Sequence, residues 1–116
     1  MTEYEQTFLQ ELKYPSQLVM RYRLAHFQHI FSSGYSAGYY SYRWADALTA
    51  DAAEYFEKQE KGFFDQKIAR KLIDSVLSIG NTIDPEEAFV NFRGRALDSS
   101  ALLRKMDVSI PNLPSK

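Results

Sequence analysis

The sequence has no cysteine, only four prolines and five glycines, and almost no net charge. The absence of cysteine excludes disulfides and thiolate metal sites and fits a reducing compartment, so we expect the protein to be cytoplasmic. The formal net charge of -1 creates no overall field that would attract nucleic acid or a membrane surface. We therefore expect neither of these partners.

Long apolar runs are also lacking. No run approaches the ~18 residues of a membrane span, and the first residues are acidic where a signal peptide is basic. A chain of 116 residues has room for one ordinary domain, which we place over residues 1-116. Aromatic residues, in contrast, are abundant: there are eight Tyr and eight Phe. Because a buried phenol needs a hydrogen-bond partner, this many tyrosines suggests a role beyond filling a core.

The apolar periodicity predicts an all-α, multi-helical array with short connections and no internal repeat. The first helix follows Thr2 and ends at Pro15. Further helices are predicted over 16–31, over 36 to about 58, which is the longest, and over 65–79. Two short helices follow, one capped by Asp84 and closed by Gly94, the other capped by Asp98 or Ser99. The tail over 110–114 is predicted to be irregular.

Tyrosines mark the predicted longest helix. Tyr35, Tyr39 and Tyr42 are spaced i, i+4, i+7 and are predicted to share one face, while Tyr40 and Trp44 fall on a neighbouring stripe that we assign to the core. Phenol hydroxyls are neutral donors to a peptide carbonyl or to the oxyanion that forms when that carbonyl is attacked. The three-tyrosine face therefore indicates peptide binding.

Other chemistries have weaker support. His26 and His29 are the only histidines, and at i, i+3 on a helix they could provide two metal ligands, but no third ligand has suitable spacing. A small metal-binding protein is thus a third hypothesis, and we predict no metal site. The His-Glu-x-x-His motif of metallopeptidases is absent. Residues 34–38 match Gly-x-Ser-x-Gly, which we interpret as accidental because no strand precedes them.

Residues 26–46, HFQHIFSSGYSAGYYSYRWAD, resemble a signature segment near the C-terminus of the thimet-oligopeptidase family of zinc metallopeptidases, which includes oligopeptidase A and peptidyl-dipeptidase. The resemblance extends over about residues 21–107 and includes Arg93-Gly94-Arg95. Ser32 and Ser33 stand where the family usually has loop glycines, and serine allows the backbone fewer conformations than glycine does. Ala96-Leu97 replaces a common Glu-Pro.

The resemblance implies that His29 and Tyr35 bind the substrate backbone, that Tyr42 stabilises the oxyanion, and that Tyr39 is a secondary contact. It also implies that zinc and its ligands belong to a part of the family enzyme that this chain lacks. Our leading hypothesis is therefore the C-terminal substrate-binding part of a zinc oligopeptidase, inactive alone. Its partners would be short peptides and a complementary zinc-bearing chain. The alternative is a non-catalytic helical module for peptide binding or for self-association through the tyrosine face.

Overall fold

The computed structural model describes residues 2–108, which form helices and turns with no β-strand among them. The α-helices of this region are α1 Thr2–Glu11, α2 Gln28–Ser32, α3 Ser41–Glu57, α4 Gln66–Leu72, α5 Pro85–Arg93 and α6 Ser100–Lys105. The π-helical turn Ile73–Leu77 continues α4, and 3-10 turns lie at Leu24–His26, Ser36–Gly38 and Gly62–Phe64. The predicted all-α array is confirmed. Within residues 2–108 no helix has the length and apolar character needed to cross a membrane.

Contacts along the backbone divide the chain into two compact units, Met1–Ser41 and Tyr42–Lys116. The organisation of residues 1-116 as one domain stays a prediction. So does the irregular tail over 110–114, which lies outside the described residues.

The first unit contains α1, α2 and two 3-10 turns, and none of its described residues is buried. In α1 the rings of Tyr4 and Phe8 stack with centroids 6.3 Å apart, but both are exposed. The predicted helix over 16–31 is wrong, because only the turn Leu24–His26 and the short α2 form there. Leu18 and Val19 are exposed, so this stretch has no apolar face whose burial would stabilise a helix.

The second unit has a core in which α3, α4 and α5 meet. Phe56, Ile68, Phe89 and Phe92 are its buried centre, and Phe92 is fully buried. The caps predicted from sequence are present in α5: the Asp84 carboxylate accepts hydrogen bonds from the N–H groups of Glu86 and Glu87, at 2.8 and 3.4 Å. Gly94 ends α5 at φ 76°, a left-handed conformation that favours glycine.

Helices α4 and α6 of this unit also follow their predictions closely. The Asp65 carboxylate caps α4 by accepting from the N–H groups of Lys67 and Ile68. The Ser78 N–H and hydroxyl both donate to the Ile73 carbonyl, at 2.9 Å, and so close the π-helical turn that the sequence did not predict. At α6, Asp98 rather than Ser99 provides the side-chain acceptor, which bonds the N–H of Ser100 at 3.1 Å.

The longest helix begins five residues later than predicted, at Ser41. Gly34 and Gly38 disfavour an early start, and Ser36 takes a positive φ of 39° that no α-helix contains. Tyr35 and Tyr39 thus precede α3, so the predicted helical face shared with Tyr42 is not formed.

The assignment of Tyr40 and Trp44 to the core is also wrong. Their exposed fractions are 71% and 60%. The buried stripe of α3 instead runs through Ala47, Ala50, Asp51 and Phe56, in the part of the helix that meets the core.

Candidate functional site

Four aromatic rings of the first unit form a cluster around α2. Phe27 and Tyr39 meet edge to face with ring centroids 4.8 Å apart, and His29 lies 5.3 Å from Tyr39. Tyr35 contacts both His29, at 5.8 Å, and Tyr39, at 5.6 Å. Three of the four residues predicted to contact substrate are therefore neighbours in space, although they do not share a helix. We call this group the ring cluster.

The ring cluster has an inner and an outer side. Phe27 and Tyr39 are half-buried, whereas His29 and Tyr35 are exposed. The imidazole of His29 and the ring of Tyr35 are thus accessible to a bound molecule. An imidazole can donate and accept hydrogen bonds, and a phenol can do the same, so these two side chains suit the alternating N–H and C=O groups of a peptide backbone.

Two serines make side-chain hydrogen bonds beside the ring cluster, Ser32 at the end of α2 and Ser33 in the loop that follows it. The Ser32 hydroxyl donates to the Gln28 carbonyl at 3.1 Å, and the Ser33 hydroxyl donates to the His29 carbonyl at 2.5 Å. The Tyr35 N–H donates to the Ser33 oxygen at 3.4 Å. Glycines could make none of these side-chain bonds. The departure from the glycine-rich pattern therefore adds a local restraint between His29 and Tyr35.

Tyr42 belongs to the second unit, where it occupies the first turn of α3. Its side chain is 52% exposed, so it is open to solvent or to a ligand.

His26 and His29 do not lie on one helix, contrary to the prediction. His26 ends the 3-10 turn Leu24–His26, and Phe27, at φ -79° and ψ 72°, separates it from α2. Over residues 2–108 no group of three His, Cys, Asp or Glu side chains is arranged to hold a metal ion. The described residues therefore do not fit the zinc site of a metallopeptidase.

Sequence reasoning missed a buried charge cluster in the second unit, centred on Asp51. This residue is completely buried on α3, and its carboxylate accepts from Arg93 Nε at 2.8 Å and from both terminal nitrogens of Arg95, at 2.7 and 2.6 Å. The Asp98 N–H donates a fourth bond at 2.8 Å. Burial acts to raise the pKa of the Asp51 carboxyl, but the bonds from Arg95, Asp98 and Arg93 outweigh it and lower that pKa.

A second group of charges adjoins Asp51. The Ser100 hydroxyl donates to Asp98 at 2.5 Å and, with Arg104, lowers the pKa of Asp98 to about 2. Arg104 also bonds Glu54 through Nε at 2.7 Å and through Nη2 at 3.0 Å. These contacts connect α3, the turn after α5 and α6. Their partners are mutually satisfied, so the charge cluster is structural rather than a binding site.

An open apolar groove of about 410 Å³ lies beside α3 and α4. Its lining consists of Thr49, Ala52, Ala53, Phe56, Phe63, Ala69, Leu72 and Ile73. It contains no titratable group, so it offers no catalytic chemistry.

Comparison of the sequence with known proteins assigns the chain to a family. The sequence model of Peptidase family M3 matches residues 1–108. Oligopeptidase A of Escherichia coli (strain K12) is 47% identical over 77 residues, which cover 66% of this chain and 11% of that protein. The Escherichia coli dipeptidyl carboxypeptidase is 34% identical over 90 residues, covering 78% of this chain and 13% of that protein.

A fungal relative gives the same result: saccharolysin of Saccharomyces cerevisiae is 35% identical over 80 residues, covering 69% of this chain and 11% of that protein. The chain thus matches about a tenth of the length of these relatives. The resemblance inferred from residues 26–46 is confirmed, and the match extends to the N-terminal residues that the resemblance did not cover. The chain belongs to Peptidase family M3.

Proposed function

We propose that this chain forms the substrate-contacting part of a peptide-hydrolysing site of the M3 type. His29 and Tyr35 bind the substrate backbone, Tyr39 is a secondary contact, and Tyr42 donates a hydrogen bond to the oxyanion. The observation that carries the proposal is the ring cluster, in which His29 and Tyr35 are exposed neighbours, in a chain that belongs to a peptidase family.

The chemistry of these side chains supports the roles. A tyrosine hydroxyl carries an O–H donor without a formal charge, so it can donate a hydrogen bond to a peptide carbonyl. A donor aimed at the developing oxyanion stabilises the transition state more than the ground state. Removal of one such donor typically lowers kcat by ~10²–10³. Backbone contacts made equally in both states act on KM instead.

The chain alone is expected to be inactive, because its described residues offer no set of metal ligands. Short blocked peptides incubated with the purified chain and added zinc should stay intact. Cleavage by the wild-type chain above that of a Tyr42→Phe control would show that the expectation is wrong.

A chimera tests the binding roles. In Escherichia coli oligopeptidase A, the segment that matches over 77 residues is replaced by that of this chain. His29→Ala in the chimera should raise KM for a short peptide by roughly 10-fold, the equivalent of one hydrogen bond. His26→Ala, at an exposed histidine outside the ring cluster, is the matched control and should leave KM unchanged. Equal effects of the two substitutions would contradict the role of His29.

A second candidate function is a helical module for binding or oligomerisation. The observation that favours it is the first unit, where no described residue is buried and where Tyr4, Phe8 and Leu12 are all exposed. Exposed apolar surface of this kind tends to be covered by a partner or by self-association. Light scattering tests whether the chain self-associates. Concentration-dependent dimers support this function, and a well-folded monomer at high concentration argues against it.

The proposed partners are short peptides and, for catalysis, a complementary zinc-bearing chain. The proposed location is the cytoplasm. The name of one plant relative, "Probable cytosolic oligopeptidase A" of Arabidopsis thaliana, agrees with that location for that protein. Fluorescence microscopy of the tagged chain in its own cells would test the location here.

A further inference from the structure

Phe27 is the one member of the ring cluster to which no substrate contact has been assigned. Its backbone makes one hydrogen bond to the preceding turn and one to the following helix. Its N–H donates to the Leu24 carbonyl at 3.1 Å and so closes the 3-10 turn. Its carbonyl accepts from the Ile30 N–H at 3.2 Å, at the start of α2. The residue is half-buried. Its ring is thus attached to a backbone position that two successive turns define.

The Phe27 ring contacts two of the three substrate-binding candidates of the first unit. It meets Tyr39 edge to face, with an interplanar angle of 88°, and lies 5.8 Å from His29. Edge-to-face contact is a preferred geometry because the positive edge of one ring meets the negative face of the other. Phe27 itself has no polar side-chain atom with which to bond a ligand. Its contribution therefore has to act through its neighbours.

We propose that Phe27 is a positioning residue, whose ring fixes the orientations of Tyr39 and His29 for binding a peptide backbone. This inference rests on the proposed function, since it concerns the same site. Without the Phe27 ring, Tyr39 and His29 each lose one ring contact, so the orientations of both side chains are less restrained. Peptide affinity should then fall although every polar group of the site remains.

The test compares three variants of the full chain: Phe27→Leu removes the ring, Phe27→Tyr keeps it, and Phe31→Leu makes the same change at an exposed position of α2. Two readouts are used. One is the Kd for acetyl-pentaalanine amide by calorimetry. The other is the chemical shift of the His29 ring protons, corrected for the ring current of Phe27 itself, so that the remaining change reports the orientation of His29 relative to Tyr35 and Tyr39, with exposed His26 as the internal reference.

Phe27→Leu should weaken the Kd by about 3- to 10-fold and move the His29 shifts toward those of His26. Phe27→Tyr and Phe31→Leu should match the wild type in both readouts. The proposal is overturned if Phe27→Leu leaves the His29 shifts unchanged, if Phe31→Leu has the same effect, or if wild-type His29 already resembles His26. A wild-type chain that does not bind pentaalanine contradicts the proposed peptide binding, while the His29 shifts still decide the role of Phe27.

Discussion

Replacement of Asp51 by Asn should cost this chain a large part of its stability. The two side chains have nearly the same shape, so the change removes a charge and one acceptor without creating a cavity. One Asp51 oxygen accepts from Arg93 Nε and Arg95 Nη2, and the other accepts from Arg95 Nη1 and the Asp98 N–H. In either orientation of the amide, an NH₂ group therefore faces at least two donors, since Arg93 Nη2 also lies 2.7 Å from the first of these oxygens, and at least two hydrogen bonds are lost.

The size of the effect follows from burial. The Asp51 side chain is fully buried and the Arg93 side chain is only 7% exposed, so water has little access to these two groups, whereas the Arg95 side chain, at 35% exposed, stays partly hydrated. Hydrogen bonds to charged groups contribute ~1.5–3 kcal/mol each, and breaking a buried ion pair costs ~3–5 kcal/mol. We expect a loss of about 4 kcal/mol, against a total free energy of unfolding of ~5–15 kcal/mol for a typical domain.

Urea unfolding followed by far-ultraviolet circular dichroism measures this loss. With an m-value of ~1–3 kcal/mol/M, the midpoint should fall by roughly 2 M. The matched control is Asp46→Asn on the same helix, where the ion pair with Arg43 spans 3.4 Å and both side chains are exposed. That change should cost at most ~1 kcal/mol. If Asp51→Asn is no more destabilising than Asp46→Asn, the reasoning from burial is refuted.

Two further predictions concern the second unit. The pKa values of Asp51 and Asp98 are lowered in the folded chain, so their contribution to stability is present above the unfolded pKa of ~3.9 and is lost as pH falls toward the folded value, about 2 for Asp98. Urea midpoints should be level from pH 7 to 5 and fall below pH 4, and a rise below pH 4 would contradict this sign. Phe92→Ala, at a fully buried ring, should cost ~3–5 kcal/mol, whereas Phe64→Ala, at a ring that is 89% exposed, should cost under ~0.5 kcal/mol. Thermal unfolding compares the two, and equal shifts in Tm would argue against Phe92 as the centre of the core.

Local signals in the sequence predicted the helices of the second unit well. Asp84, Pro85 and Gly94 each act within one turn of their own position, and the structure uses all three as predicted. The first unit was predicted less well. None of its described residues is buried, so burial does not select a helix between 16 and 31, and the glycines and the positive φ of Ser36 delay α3 until Ser41.

For the candidate site, too, contacts between residues close in sequence were easier to predict than contacts between residues far apart. The resemblance predicts His29, Tyr35 and Tyr39 as substrate contacts, and this role stays a prediction; short turns bring their rings into contact, whereas the helical face predicted for the tyrosines is not formed. The Asp51 cluster was missed because its partners lie 42 to 47 residues away. The one local signal was an acidic residue on the stripe of α3 that also contains Ala47 and Ala50. An ionised side chain on a buried stripe needs a partner of opposite charge. The position of Asp51 along α3 does not identify Arg93 and Arg95 as those partners.

The role of Tyr42 as oxyanion donor is tested most directly by kcat of the oligopeptidase A chimera. Tyr42→Phe removes only the hydroxyl and should lower kcat by ~10²–10³, with little change in KM. Tyr40→Phe removes a hydroxyl two residues away, at an exposed tyrosine with no assigned role, and should leave kcat unchanged. A Tyr42→Phe chimera with the kcat of the Tyr40→Phe chimera would contradict the assignment.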